Sequence, residues 1–147
     1  MDKIQTLHFI EEARRIHESQ MYKIEVLLST KEIDNLLAVP KSECEFGKML
    51  SSNEVFLRHI LGTLFYENLD EIHSRWHSEY YKIYNIFFKK EKKGLLSKIM
   101  GSNKVSEMDI DKAKLYYSDL KITTAELIKV ITQCQRRVFA LSNSKFE

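Results

Sequence analysis

The sequence predicts an all-α protein, a four-helix up-down bundle with an additional short helix that carries Cys44. Two observations predict this fold class. The 147 residues contain only four glycines and one proline, whereas β-rich folds need many turns built from these residues. Apolar residues also recur at alternating steps of three and four, the spacing of one helix face. The length suits a single domain, residues 1–147, with a core of its own.

The first helix is predicted over residues 2–30, and its inward face is marked by residues at helical spacing. A connection follows at 31–41, because the apolar spacing is lost there and Pro40 occurs. The predicted inward face consists of Leu7, Ile10, His17, Met21, Ile24 and Leu28.

A short helix is predicted to begin near Ser42 and to run through CEFGKML. Ser42 suits an N-cap because Glu45 stands three residues later, as in a capping box. Ser51, Ser52 and Asn53 then break the helix, and Asn53 can cap the helix that follows.

Two further long helices are predicted, over 54–91 and 107–142. The first of these ends in KKEKKG, with cations and then a glycine, which is typical of a helix C-terminus. The connection at 94–105 holds a small apolar cluster of Leu95, Leu96, Ile99 and Met100. The predicted stripe over 54–91 is Leu57, Ile60, Leu61, Leu64, Phe65, Leu69, Ile72, Trp76, Tyr80, Ile83 and Phe87. The stripe over 107–142 is Leu120, Thr124, Leu127, Ile131, Cys134, Val138 and Leu141.

Three of the five histidines are predicted to face the core. His73 and His77 are four residues apart, so their Cβ atoms stand about 5–6 Å apart on one helix face. His17 falls on the inward face of the first helix. Neutral imidazoles in an apolar interior need polar partners, and a metal ion is one such partner. Two core or surface histidines with ordinary hydrogen bonds remain an alternative interpretation of the pair.

Cys44 completes a candidate set of metal ligands. It stands near the start of the short helix, where the helix dipole and free N–H groups favour a thiolate. Three histidines and one cysteine suit Zn²⁺, which prefers four nitrogen and sulfur ligands. Four protein ligands leave no open position, so the predicted zinc site of His17, Cys44, His73 and His77 is closed and not catalytic.

Three blocks of the sequence resemble the chemoreceptor zinc-binding (CZB) family. That family has a histidine in its first long helix, a short Cys-x-Phe-Gly-x-Trp-like helix, and a His-x-x-x-His pair on a later long helix. Here the blocks are ARRIH ending at His17, CEFGKML beginning at Cys44, and HSRWH between His73 and His77. The resemblance spans about residues 5–90, and the Cys-x-Phe-Gly block is its most specific part.

The resemblance implies a zinc-binding, cytoplasmic module of bacterial signalling that senses zinc or oxidant, with Cys44 as the redox-sensitive residue. Such modules are often homodimeric and are attached to chemoreceptors or diguanylate cyclases, or occur alone. If the chain is complete, as Met1 suggests, it signals to a protein partner in trans. Gln20 and Met49 stand where the family often has tryptophan, which concerns core packing rather than the ligands.

Other function classes find little support in the sequence. A net charge of +2 does not favour nucleic-acid binding, and no segment has the ~18 apolar residues of a membrane span. Two distant cysteines favour a reducing compartment. Neither a catalytic triad, nor paired catalytic carboxylates, nor a Gly-rich phosphate loop is present, so an enzyme is not expected. The alternatives are an adaptor bundle in which zinc is only a staple, and a hemerythrin-like iron or haem bundle.

The remaining notable residues are predicted to lie outside the site. His8 falls on the opposite face of the first helix from His17, and His59 is about 21 Å along the helix axis from His73. Cys134 is expected to be a small buried core residue. The basic run at 89–93 is expected to be a solvated helix end.

Overall fold

The computed structural model describes residues 1–30, 39–88 and 105–147, and these ranges contain helices and no strand. The all-α prediction is therefore confirmed for them. None of their helices combines the length and apolar character needed to cross a membrane. The helices are α1 (Lys3–Thr30), α2 (Glu45–Ser52), α3 (Glu54–Leu61), α4 (Thr63–Phe88) and α5 (Glu107–Ala140), followed by a 3₁₀ turn at Asn143–Lys145.

Local capping explains where α1 and α5 begin. The carboxylate of Asp2 accepts a hydrogen bond from the backbone N–H of Gln5 at 2.8 Å, and the Gln5 side chain accepts one from the N–H of Asp2. This reciprocal pair is a capping box. Ser106 caps α5 by accepting a hydrogen bond from the N–H of Asp109 at 3.1 Å. The predicted bounds of both helices agree with the structure to within two residues.

The start of the short helix was predicted wrongly. Pro40–Cys44 forms a turn, in which the N–H groups of Glu43 and Cys44 both donate to the carbonyl of Pro40. Cys44, not Ser42, is the N-cap of α2, and the helix continues to Ser52. Because the turn supplies these backbone hydrogen bonds, the capping-box pattern at Ser42 is not used.

The helix predicted over 54–91 is two helices, broken at Gly62. Gly62 adopts a φ of +90°, a backbone conformation that only glycine adopts without strain. The chain direction changes there, so Leu64 is 83% exposed although it was predicted to lie on the inward stripe. Tyr66 is buried, and its hydroxyl donates to the carbonyl of Leu50 at 3.1 Å. The basic run and the apolar cluster at 95–100 lie outside the described residues.

Helix α5 packs antiparallel to both α1 and α4. Lys3 donates to the carbonyl of Leu141, and Arg14 donates to the hydroxyl of Thr132. On the other side, the indole N–H of Trp76 donates to Thr124 at 2.9 Å, and the Arg137 guanidinium lies over the ring of Phe65. Helices α1 and α4 therefore run in the same direction and face each other across the core. The largest fully buried side chains between the helices include Trp76, Ile10, Ile24, Leu27, Leu57, Leu69, Ile83, Leu120, Leu127 and Ile131.

Residues 39–61 run back along α4 in the opposite direction. The carbonyl of Val39 contacts His77, that of Leu50 contacts Tyr66, and that of Leu61 accepts from Arg137 of α5. This course brings the start of α2 to the level of the middle of α1 and α4, and it places Cys44 there.

Candidate metal centre

His17 is presented by the middle of α1 and is 1% exposed. Its Nδ1–H donates to the carbonyl of Ala13, one helical turn earlier, at 2.6 Å. This bond fixes the ring and leaves Nε2 to point away from α1. That Nε2 atom is buried and has no hydrogen-bond partner among the residues that the structure describes. A buried imidazole nitrogen without a partner is costly, unless an ion occupies the position that it faces.

His73 and His77 project from successive turns of α4, as their spacing predicted. Their Nε2 atoms are 3.0 Å apart and their ring centroids 4.6 Å apart. The Nδ1–H of His77 donates to the carbonyl of Val39 at 2.9 Å, which leaves its Nε2 unprotonated. Carbonyl acceptors on the second nitrogen are the usual way in which metal-binding histidines are oriented. His17 and His77 both have such an acceptor.

Cys44 reaches the two α4 histidines from the N-terminus of α2. Its Sγ lies 3.7 Å from His73 Nε2, and the residue is 4% exposed. Burial raises the pKa of the Cys44 thiol above its ordinary value, although the amides of Phe46 and Gly47 act in the opposite direction. Without an adjacent cation the thiol therefore keeps its proton at neutral pH. A bound metal ion would remove that proton, because a coordinating thiol is deprotonated.

Gly47 lets the turn that carries Cys44 lie directly on α2. A Cβ atom at this position would be 1.9 Å from the carbonyl oxygen of Lys41 and 3.4 Å from Cε1 of His73. The same turn is held to α4 by an ion pair between Lys41 and Asp70 at 2.7 Å. The position of the thiol thus depends on one close backbone approach, one ion pair and the hydrogen bond at Val39.

The four donor groups form a cluster of the size that a small metal ion requires. One ligand atom from each of His17, Cys44, His73 and His77 lies within 4.8 Å of the other three. An ideal zinc tetrahedron separates two nitrogens by about 3.3 Å and a nitrogen from a sulfur by about 3.6 Å. The measured 3.0 Å and 3.7 Å are close to these values. The four side chains could therefore hold a metal ion, and their role as ligands stays a prediction.

Burial keeps the three imidazoles in the neutral form that binds metals. It lowers the pKa of His17 and His77 to about 4, and that of His73 to about 2. The neighbouring imidazoles act in the same direction on His73 and His77, because two charged rings would repel each other. At neutral pH no proton has to leave these rings before a cation binds.

Three described residues that were predicted to lie outside the site, His8, His59 and Cys134, are not part of the cluster. His8 and His59 are exposed and are not members of the cluster. Cys134 lies on the core face of α5 and is 2% exposed, and burial raises the pKa of its thiol to about 12.

Several groups that orient the ligands could not be identified from the sequence. The carbonyls of Ala13 and Val39 have no side-chain signature, since any residue can supply a carbonyl. Trp76 was predicted only as a core residue, yet its ring meets that of His17 edge-to-face at 4.6 Å. Gly47 did carry a signal, because a glycine inside a helix is unfavourable unless packing or function requires it.

Comparisons with known proteins gave no relative of this chain: neither a protein-family model, nor a curated protein, nor a solved structure matches it.

Proposed function

We propose that this chain is a zinc-binding regulatory or sensor domain of bacterial signalling, of the chemoreceptor zinc-binding type. One observation carries the proposal: three buried imidazoles and one buried thiol converge on a single point from three separate segments of the chain. The resemblance of the three sequence blocks to the CZB family supports it. The proposal includes the four-helix up-down arrangement, in which α2 and α3 together occupy the second position.

Zinc is the proposed ion because of the donor set. Nitrogen and sulfur donors in a compact tetrahedral cluster suit Zn²⁺ better than Mg²⁺ or Ca²⁺, which prefer oxygen. The unpartnered Nε2 of His17 faces the same cluster, so a cation there would satisfy it. With four protein donors, no position remains for a substrate or an activated water, and the proposed role is therefore regulatory rather than enzymatic.

The signal is proposed to be a movement of the turn at residues 39–44 and of α2. Ligands from α1, from this turn and from α4 would all be tied together by one ion. Loss of the ion, or oxidation of Cys44, would release the turn, because a sulfenic acid is a poorer ligand than a thiolate. Helix α2 is only eight residues long, too short to be stable without its packing against the rest of the chain.

The same proposal places the chain in the cytoplasm as a homodimer that acts on a signalling protein in trans. These features come from the resemblance. A measurement of mass in solution by light scattering tests the dimer independently of the metal.

The main alternative is an adaptor bundle in which zinc is only a staple. The burial of all four donors is the observation that favours it, since buried metal exchanges slowly. Zinc occupancy measured across a series of buffered free-zinc concentrations separates the two functions. A sensor should fill and empty within minutes over a narrow range of free zinc, with a change in Trp76 fluorescence. An adaptor bundle whose zinc only stabilises the fold should keep that zinc throughout the range, and this result would refute the sensor proposal.

A further inference from the structure

A cavity of about 260 Å³ opens beside the ligand cluster, between α1, the turn at residues 39–44 and α4. Three of the four candidate ligands line it, namely His17, Cys44 and His77. Glu43 and Glu45 stand on either side of Cys44 in its wall, and Ile16 of α1 lines it as well. A single water needs only about 10–15 Å³ of such space, so this cavity can admit an ion that still carries water.

A second depression, of about 540 Å³, lies on the other side of Val39. It is lined by Lys41, Ser78 and Tyr81, and His77 is its only candidate ligand. Val39 lines both openings, and Pro40 and Lys41 line the second. The buried cluster can therefore be approached from two sides that differ in charge and in the number of ligands they expose.

The first cavity suits an incoming cation and the second does not. In the first, a cation meets the carboxylates of Glu43 and Glu45 and then three candidate ligands. One of these is His17, a residue that is 1% exposed and whose Nε2 has no hydrogen-bond partner among the described residues. Lys48 pairs with Glu45 at 2.9 Å and offsets part of that negative charge, but both groups are more than half exposed. In the second, the charged side chain among the described lining residues is Lys41, an ammonium paired with Asp70.

We propose that the cavity beside Glu43, Cys44 and Glu45 is the route by which the metal ion enters and leaves the site. Glu43 and Glu45 raise the local concentration of the cation. Cys44, His17 and His77, which line the cavity, bind it first, and His73, which does not line the cavity, completes the set of ligands. This inference rests on the proposed function, since it presumes that the cluster binds a metal ion.

The test is the rate at which Co²⁺ binds to and leaves the metal-free chain, followed by stopped-flow absorbance of the thiolate-to-cobalt band. Glu43→Gln/Glu45→Gln is compared with Glu18→Gln/Glu71→Gln, which removes the same charge from exposed positions that line neither opening. The first double variant should slow association by about 3- to 10-fold at low ionic strength, and the difference should shrink near 1 M salt. The control should bind at the wild-type rate.

A matched pair of bulky substitutions tests the route without changing charge. Ile16→Trp narrows the first cavity and Ser78→Trp narrows the second. Ile16→Trp should slow binding and release by the same factor and leave the affinity unchanged. A narrower route changes the barrier, but it does not change the free energy of the metal-free or the metal-bound site. Ser78→Trp should change neither rate.

The outcomes distinguish the route from the site. If the wild-type chain shows no thiolate-to-cobalt band, the proposed function fails, and this inference fails with it. If the wild type binds but Ser78→Trp slows exchange and Ile16→Trp does not, only the route is wrong. If Ile16→Trp does not fold, the salt-dependent effect of Glu43→Gln/Glu45→Gln decides the matter, and equal rates for both double variants would overturn the proposal.

Discussion

Gly47 lies beneath the turn that carries Cys44, and its replacement by alanine tests whether that turn sets the metal affinity. The added Cβ would be 1.9 Å from the carbonyl oxygen of Lys41 and 3.0 Å from its carbonyl carbon. Non-bonded carbon and oxygen atoms do not approach so closely, so the turn must retreat by about 1 Å. That turn contains the thiol and the carbonyl that orients His77.

The expected loss of affinity follows from this displacement. Removing an orienting contact of a metal ligand typically weakens binding by about 10- to 100-fold, and a 1 Å displacement is enough to loosen a preorganised site. The cost to the metal-free fold is smaller. Overpacking costs about 1–3 kcal/mol, and alanine recovers up to about 1 kcal/mol over glycine within a helix. We therefore expect a weak effect on the metal-free melting temperature and a large effect on zinc affinity.

Gly62→Ala is the matched control. Gly62 also favours glycine, because of its φ of +90°, but none of the described residues has an atom within 4 Å of the position of its Cβ. Backbone strain of about 1–3 kcal/mol should lower the melting temperature, while zinc affinity should stay within about twofold of wild type. Competition with a chromogenic chelator measures the affinity, and thermal melts in excess chelator measure the stability.

Two results would refute this reasoning. Wild-type affinity in a folded Gly47→Ala chain would show that the turn can retreat without moving Cys44. An equal loss of affinity in Gly62→Ala would show that the loss reflects overall stability and not the position of the turn.

Other predictions concern the metal, the thiols and acid. Chelation should lower the melting temperature but leave most of the helical circular dichroism, because the core does not depend on the ion; equal melting temperatures would exclude a structural metal. Mild peroxide should modify Cys44 before Cys134 and release zinc, as measured by mass spectrometry and a zinc dye; modification of Cys134 first would contradict the redox role. Because burial lowers the pKa of His17 and His77 to about 4 and of His73 to about 2, from 6.5, the unfolded chain binds more protons than the folded chain below about pH 6.5. The metal-free protein should therefore lose stability as the pH falls from about 6.5 towards 4 in urea titrations, and a flat profile would contradict the burial of neutral rings.

The long helices were predictable because the spacing of their apolar residues determines both that a helix forms and which face of it is buried. Helices α1 and α5 agree with their predicted bounds, since nothing within them competes with helix formation. The break at Gly62 was missed because a lone glycine is tolerated in many helices, and only the φ of +90° shows that this one ends α3. The misplaced start of α2 has a similar cause: the pattern at Ser42 suits a cap, but the turn from Pro40 supplies the hydrogen bonds instead.

The candidate site was predictable to different degrees for its different members. Spacing on one helix face places His73 beside His77, and the apolar stripe of α1 directs His17 inwards. No local rule brings Cys44 to them, because its position depends on how residues 39–61 run back along α4. Cys44 was named as a candidate because it stands near a helix start and because the sequence resembles the CZB family. The carbonyl of Val39 could not be predicted at all, since backbone groups leave no trace in the sequence.

The central claim, that His17, Cys44, His73 and His77 bind one zinc ion, is tested most directly by the metal content of the purified chain. The protein should be purified without added metal and analysed by elemental mass spectrometry beside His73→Ala and the control His59→Ala. The account predicts about one zinc per chain in the wild type and in His59→Ala, and almost none in His73→Ala. Full zinc occupancy in a folded His73→Ala chain, or a wild-type chain without bound zinc that takes none up when it is supplied, would contradict it.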